Sequence, residues 1–162
     1  MTDATDNTTI VTDFLAEVEG YLPEMRSCLQ ALYLDSGNQE AVKELHRMTH
    51  TIRGVASMVQ LQDLSEAAAV MEDELDALMA GNTSWSSKRL DAMAVTVDRI
   101  STYCDDLESG ESVDGNLHLA TLSSFADLDA GGGDDVTEDA SVDDFFADFS
   151  EEETDEQTDD FF

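Results

Sequence analysis

Apolar side chains recur at alternating spacings of three and four residues in four successive segments of the chain. This periodicity places each set on one face of an α-helix. The four sets are Val11, Leu15, Val18, Leu22, Met25, Leu29 and Leu32; Val42, Leu45, Ile52, Ala56 and Val59, with Thr49 completing the series; Leu61, Leu64, Ala68, Met71, Leu75 and Leu78; and Leu90, Met93, Val97, Ile100, Cys104 and Leu107. Residues 1–110 show no sustained period-two alternation, the pattern typical of a strand. The sequence therefore predicts an all-α fold.

The first predicted helix contains Pro23. Because the apolar register continues on both sides of this residue, we predict a kink with a freed carbonyl near Glu19, and not a helix end. Ser36, followed three residues later by Gln39, has the form of a capping box that opens the second helix.

Further turn signals bound the third and fourth helices. Gly81-Asn82 predicts the end of the third, a Thr83-Ser84 capping region precedes the fourth, and Gly110 predicts its end. Such short connections keep successive helix ends adjacent, which predicts an antiparallel four-helix bundle. The apolar spacing near 3.5 residues favours crossing angles of roughly 20°.

Charge divides the chain into two parts. Residues 1–110 carry 20 acidic and 7 basic side chains, whereas residues 111–162 carry 18 acidic and none basic. Because self-repulsion and ordering entropy outweigh the little apolar surface of the second part, we predict a disordered tail at 111–162, after a bundle at 9–110 and a flexible arm at 1–8. Leu119, Leu122 and Phe125 could support one short fifth helix docked on the bundle.

The tail repeats Asp-Asp-Phe-Phe at 143–146 and 159–162. The repeat resembles an acidic-aromatic interaction motif, although a solvated linker with incidental aromatic residues explains it more simply. So acidic a chain repels nucleic-acid phosphates and anionic lipids, which leaves cationic or metal-bearing proteins as partners.

Two cysteines, Cys28 and Cys104, are too few and too far apart for a disulfide framework or a zinc-ligand spacing, so we expect buried thiols in a reducing compartment. The sequence shows neither a signal-peptide pattern at its start nor an apolar run long enough to span a bilayer. We therefore expect a cytoplasmic protein.

His50 lies on the second predicted helix but off its apolar stripe. At about 100° per residue, its side chain points roughly 130° away from the stripe centre, toward solvent. His46 and Gly54 lie one turn away on either side, Ser57 two turns on, and Arg47 and Arg53 flank it. A nucleophilic imidazole held on a rigid helix beside cations and a missing side chain is a candidate site for accepting an anionic group.

The segment His50-Thr51-Ile52-Arg53-Gly54-Val55-Ala56 resembles the signature of histidine-containing phosphotransfer (HPt) domains. In that signature the histidine is followed by an aliphatic residue at two, a basic residue at three, glycine at four and a small residue at six. The run Leu64-Ser65-Glu66-Ala67-Ala68-Ala69-Val70-Met71-Glu72-Asp73-Glu74-Leu75 is similar to the third helix of the phosphotransfer domain at the front of CheA-type chemotaxis histidine kinases. The resemblance covers about residues 9–110.

The resemblance implies a role in phosphorelay. His50 would accept a phosphoryl group from a histidine kinase or a phospho-receiver, and would donate it to the receiver aspartate of a response regulator. An imidazole attacks phosphorus only through its lone-pair nitrogen, so its tautomer must be fixed. In the family a glutamate at the position of Glu72 accepts the other N–H, and the distal nitrogen is phosphorylated. A basic residue such as Arg53 offsets charge on the phosphoryl oxygens.

Gly54 matters by the absence of a side chain, since any side chain there would project beside the imidazole and obstruct the partner domain. His46, Arg47 and Ser57 are the other candidates for partner access. The chain departs from the family pattern at two positions. Gln60 stands where a glycine is usual at the corner after the second helix, and Ala69 stands where chemotaxis kinases often have a second histidine.

Nothing in the sequence resembles a glycine-rich nucleotide lid, a P-loop or a kinase phosphate site. ATP and Mg²⁺ would therefore come with the partner, and the chain would be a phosphoryl carrier and not an enzyme. It could be a stand-alone shuttle or the front part of a longer kinase.

Two other functions remain open from the sequence. One is a phosphorylation-independent helical adaptor that binds a protein through the bundle face or the tail. The other is a metal-dependent enzyme at His46, His50 and Glu72, which lacks a fourth ligand and a His-Glu-x-x-His pattern. We expect no metal and no cofactor of its own.

Overall fold

The computed structural model describes residues 3–113 and 115–130, which form five α-helices and no strand. The helices are α1 (Asp3–Leu34), α2 (Gln39–Met58), α3 (Gln62–Met79), α4 (Ser87–Ser109) and α5 (Leu117–Ala130). α1 packs against α2 and α4, α2 packs most extensively against α3, and α5 covers α3 and α4. The predicted all-α fold is confirmed.

The core is built from the apolar stripes of the helices. Of the stripe residues predicted from the sequence, only Val11, Leu61 and Leu107 are partly buried, and all the others are buried. The stripe of α2 is broader than predicted, because Ala41 and Met48 are buried as well. Close packing on this side holds α2 rigidly and leaves its opposite face to solvent.

The start of α2 differs from the prediction. Asn38, and not Ser36, is the N-cap, and its Oδ1 accepts a hydrogen bond of 3.1 Å from the amide of Ala41. Ser36 lies in the preceding turn, where the carboxylate of Asp35 accepts the amide of Gly37 at 2.9 Å. A capping side chain reaches an amide three residues ahead, so the residue directly before the first helical turn takes this role.

The start of α4 is also later than predicted. Ser86 is its N-cap, and its Oγ accepts the amide of Arg89 at 3.1 Å, so the Thr83-Ser84 region lies in the connection. The predicted ends at Gly81 and Gly110 are confirmed. Both glycines have φ values near +75°, which glycine adopts without the steric cost of a Cβ atom.

The corner between α2 and α3 is closed by two backbone hydrogen bonds. The amide of Leu61 donates to the carbonyl of Ala56 at 2.8 Å, and the amide of Gln60 donates to that of Ser57 at 3.2 Å, which is a Schellman motif. Gln60 has φ 65° and is the only non-glycine residue at positive φ among the described residues. The turn therefore keeps the conformation that favours glycine, although a glutamine stands there.

α5 confirms the additional helix and the burial of Phe125, but not that of Leu119 and Leu122. Leu117, Thr121 and Phe125 are buried, whereas Leu119 and Leu122 are exposed. Residues 117, 121 and 125 are spaced by four and share one helix face, so packing is carried by that row.

The carboxylate of Asp63 on α3 caps α5, accepting the amides of Leu117 and His118 at 3.0 Å each. The described helices therefore continue past the boundary expected at 110/111, with α5 ending at Ala130.

α1 begins at Asp3, so residues 3–8 form its first turns where a flexible arm was expected. The helix continues through Pro23 as predicted, and the kink there stays a prediction. The Asp-Asp-Phe-Phe repeats at 143–146 and 159–162 lie outside the described residues. None of the helices in the described part of the chain is long and apolar enough to cross a membrane.

Candidate functional site

His50 and Glu72 meet on the facing sides of α2 and α3. The His50 side chain is 68% exposed, yet its Nδ1 atom lies 2.7 Å from Oε1 of Glu72, whose side chain is only 7% exposed. An ionised carboxylate can only accept hydrogen bonds, so this contact places the imidazole proton on Nδ1. The lone pair then resides on Nε2, for which the described residues provide no hydrogen-bond partner.

Glu72 contacts both His50 and Arg53. Burial alone would raise the pKa of its carboxyl group, but hydrogen bonds from His50 and Arg53 outweigh this effect and hold the pKa below its ordinary value of 4.5. The carboxylate is therefore ionised at neutral pH and remains an acceptor on both oxygens.

Arg53 binds the second oxygen of Glu72. Its Nη1 atom donates to Oε2 at 3.0 Å, and this hydrogen bond raises the pKa of the guanidinium. Ser65 on α3 donates its hydroxyl to the backbone carbonyl of Arg53 at 2.9 Å. The family resemblance predicts Arg53 beside the phosphoryl oxygens, and this role stays a prediction. In the structure Arg53 binds the carboxylate that contacts His50.

A second histidine–carboxylate pair lies one turn along the same two helices. Nε2 of His46 is 2.8 Å from Oδ1 of Asp76, and the His46 and His50 rings are stacked, with centroids 6.3 Å apart and planes inclined by 6°. Asp76 was not singled out from the sequence. The sequence spacing could have predicted this pair. His46 precedes His50 by four residues and Asp76 follows Glu72 by four, so in two antiparallel helices the second pair lies one turn from the first.

The acidic and imidazole groups could also be considered as metal ligands. Ligand atoms of His46, Glu72 and Asp76 lie within 4.8 Å of one another, so Asp76 takes the place that the sequence reading gave to His50. Within this group the 2.8 Å contact between His46 and Asp76 is a hydrogen bond, whereas Nε2 of His46 lies 3.9 Å from Oε1 of Glu72. Glu72 is already bound by His50 and Arg53.

A concave surface opens beside His50 between α2 and the start of α3. Gly54, Ser57, Ser65 and Ala69 help to line it. Apart from the neighbouring backbone of its own helix, a Cβ atom placed on Gly54 would meet no described atom within 4 Å, so packing does not require glycine there. The role of Gly54 in partner access stays a prediction.

Arg47 lies on the same exposed face of α2. Its guanidinium makes two hydrogen bonds to Oε2 of Glu44, at 3.1 Å from Nε and 2.9 Å from Nη2. The structure thus brings together His50, Glu72, Arg53 and His46, and places Gly54 and Ser57 at the edge of the imidazole, while Arg47 stands apart in its own ion pair.

Comparison with known proteins gives consistent matches over this region. The family model of the Hpt domain matches residues 9–110. Chemotaxis protein CheA of Halobacterium salinarum is 31% identical over 121 residues, which are 75% of this chain and 18% of that protein. CheA of Treponema pallidum is 27% identical over 104 residues, 64% of this chain and 13% of that protein. CheA of Bacillus subtilis is 24% identical over 115 residues, 71% of this chain and 17% of that protein.

The chain spans less than a fifth of the length of each of these relatives. The matched family region contains α2 and α3, and with them the histidine, the buried glutamate and the glycine that form the site. Because the family model covers more than half of the chain, this protein belongs to the Hpt domain family.

Proposed function

We propose that the chain is a phosphoryl carrier in a two-component, chemotaxis-like phosphorelay, and that Nε2 of His50 is the atom that carries the phosphoryl group. One observation carries the proposal: a buried carboxylate holds Nδ1 at 2.7 Å, while the ring itself is exposed. An imidazole fixed in this way presents a single nucleophilic lone pair to a partner.

The transfer step follows from that tautomer. The Nε2 lone pair attacks the phosphorus of a phosphoryl donor, the N–P bond forms as the bond from phosphorus to the donor's leaving oxygen breaks, and that oxygen departs with the electron pair. The proton stays on Nδ1, so the phosphorylated ring carries positive charge. Glu72 accepts the Nδ1–H hydrogen bond throughout and stabilises that charge, and Arg53 holds Glu72 in place.

The reverse half of the relay uses the same atoms. A carboxylate oxygen from the receiver aspartate attacks the phosphorus, the N–P bond breaks, and Nε2 recovers its lone pair. No proton has to move, because the leaving imidazole already carries its proton on Nδ1. A carrier needs such balance, since the group must be accepted and released with small driving force in either direction.

The chain would receive the phosphoryl group from a histidine kinase catalytic domain or from a phospho-receiver, and would pass it to a response-regulator receiver domain. ATP and Mg²⁺ would be supplied by those partners, and the chain itself would not be a catalyst. A cytoplasmic setting, where ATP is available and the thiols of Cys28 and Cys104 stay reduced, belongs to the same proposal.

The test is transfer of labelled phosphate from γ-labelled ATP through the catalytic domains of a CheA-type kinase that lack their own phosphotransfer domain. We expect acid-labile, alkali-stable label on the wild type and on His118→Gln, whose histidine lies on α5, but none on His50→Gln. Label that persists in His50→Gln, or a wild type that no donor labels, would overturn the proposal.

The adaptor that the sequence left open gives no reason for a buried, doubly bonded carboxylate beneath an exposed imidazole. A surface used only for docking does not need a fixed tautomer. We therefore retain phosphoryl transfer as the function.

A further inference from the structure

Met58 is the last residue of α2, and its side chain is 82% exposed. It is the only large apolar side chain exposed on this helix among the described residues. Positions 50, 54 and 58 follow one another at spacings of four, so His50, Gly54 and Met58 lie along one row of the α2 surface. The row runs from His50, past Gly54, which has no side chain, to the exposed thioether of Met58.

The other half of the row is basic. Lys43 and Arg47, at spacings of seven and three before His50, are both exposed. α2 carries three basic and two acidic side chains, and it is the only one of the five described helices with a net positive charge. Arg47 is paired with Glu44 and Arg53 with Glu72, so Lys43 is the cation of α2 to which the described residues give no ion pair. In a chain of net charge -31, an exposed lysine near His50 favours the approach of an acidic protein surface there.

We propose that Met58 is the docking anchor for the receiver domain that exchanges the phosphoryl group with His50. The inference rests on the proposed function. A receiver has to bring a carboxylate within bonding distance of the phosphorus on Nε2, so the surface it presents beside the acceptor is acidic. Lys43 faces that acidic rim, Gly54 leaves space for the backbone of the partner, and Met58 packs against apolar surface of the partner beside the acceptor.

A methionine suits this position. Its unbranched, polarisable side chain adapts to pockets of different shape at small cost, which is useful for a carrier that meets more than one partner surface. Burial of an exposed methionine side chain stabilises a complex enough to change affinity by about tenfold to a hundredfold. Truncation of Met58 should therefore weaken docking and leave the chemistry at His50 intact.

The experiment separates docking from chemistry by loading His50 with phosphoramidate, a small donor that needs no protein surface. Transfer from the loaded chain to a receiver domain that accepts phosphate from the wild type is then followed as a function of receiver concentration. The variants are Met58→Ala and Met58→Glu, with Met79→Ala as the matched control, since Met79 is also an exposed methionine at the end of a helix.

We expect the receiver concentration at half-maximal rate to rise about tenfold in Met58→Ala and further in Met58→Glu, where the added charge faces the acidic rim. The maximal rate and the loading by phosphoramidate should stay within about twofold of the wild type. Met79→Ala should behave as the wild type. Circular dichroism should show unchanged helix content in all three, because neither side chain is packed in the core.

The docking role of Met58 would be overturned if both Met58 variants loaded and transferred normally and kept the wild-type receiver concentration at half-maximal rate. The proposed function would then stay intact. A loss of maximal rate without a change in that concentration would also overturn the docking role, because it would place Met58 in the chemistry. A wild type that phosphoramidate does not load at His50 would overturn the proposed function, and the anchor with it.

Discussion

Nδ1 of His50 and Oε1 of Glu72 are 2.7 Å apart, and they join the most exposed part of the site to its most buried part. The ring is free to meet a partner while its proton is held from within. In the proposed relay, this separation of access at Nε2 from orientation at Nδ1 would let a histidine on a helix surface act as a defined nucleophile.

Replacement of Glu72 by Gln should slow phosphorylation by about tenfold to a hundredfold, the range found for carboxylates that orient metal-bound histidines. A glutamine can accept from Nδ1–H or donate to a bare Nδ1, so it no longer selects one tautomer. The rate of labelling by a CheA-type kinase core measures the effect. Asp73→Asn is the matched control, because Asp73 is the exposed neighbour of Glu72 on α3; equal rates in the two variants would contradict the role of Glu72.

The stability of the chain should depend on pH through Glu72. Its pKa is below the ordinary 4.5 in the folded state, so its ionisation stabilises the fold fully above that value, and the contribution is lost as the pH falls through the lower folded pKa. Urea unfolding of the wild type and Glu72→Gln at pH 7 and at steps below pH 4.5 tests this linkage. The difference in free energy of unfolding should shrink in the acid range, and a difference that grows there would have the wrong sign.

Gly54→Ala should raise the free energy of unfolding and lower the rate of phosphoryl transfer. An alanine at an unstrained helix position stabilises by about 0.5–1 kcal/mol relative to glycine, and a Cβ atom at Gly54 has open space around it. The same atom would stand where a partner approaches, so transfer from a kinase should slow, and Gly54→Phe should block it while helix content is kept.

Gly20→Ala is the control for this substitution. Gly20 lies inside α1 with the same open surroundings, far along the sequence from the site. It should give the same gain in stability with no change in transfer. A Gly54→Phe variant that transfers as fast as the wild type would refute the steric reason for glycine.

Gln60→Gly should stabilise the fold by about 1 kcal/mol. Gln60 has a left-handed backbone conformation that is unfavourable for a residue with a Cβ atom but not for glycine. Gly110→Ala should have the opposite sign and similar size, since Gly110 has φ 75° and its Cβ would meet no other atom, which leaves the backbone conformation as the only cost. Thermal unfolding of both variants measures the effect. A destabilised Gln60→Gly would mean that the glutamine side chain stabilises the corner in a way that the backbone does not reveal.

Much of the fold was readable from the sequence, because apolar spacing reports directly which face of a helix is buried. The stripe of α2 from Val42 to Val59 and the place of His50 opposite to it were both predicted correctly. Helix starts were not, since Ser36 and Asn38 can both cap, and the choice depends on which residue adopts the extended conformation before the first turn.

Tertiary contacts set the remaining limits. Leu117 and Leu119 are chemically equal, yet Leu117 is buried with Thr121 and Phe125 while Leu119 is exposed. Asp63 accepts the amides of Leu117 and His118, and this contact with another helix cannot be read from the sequence of α5 alone. In the site, the pairing of His50 with Glu72 came from the family resemblance, whereas the pairing of His46 with Asp76 required the register between α2 and α3.

The central claim is that Glu72 fixes the proton on Nδ1 and leaves Nε2 of His50 to carry the phosphoryl group. The most direct measurement is nitrogen-15 and phosphorus-31 NMR of the chain labelled at its histidine rings and loaded with phosphoramidate. We predict one-bond coupling of phosphorus to Nε2 of His50, with the proton retained on Nδ1, and no phosphohistidine signal in His50→Gln. Coupling to Nδ1, or a phosphohistidine that survives the His50→Gln substitution, would contradict the claim.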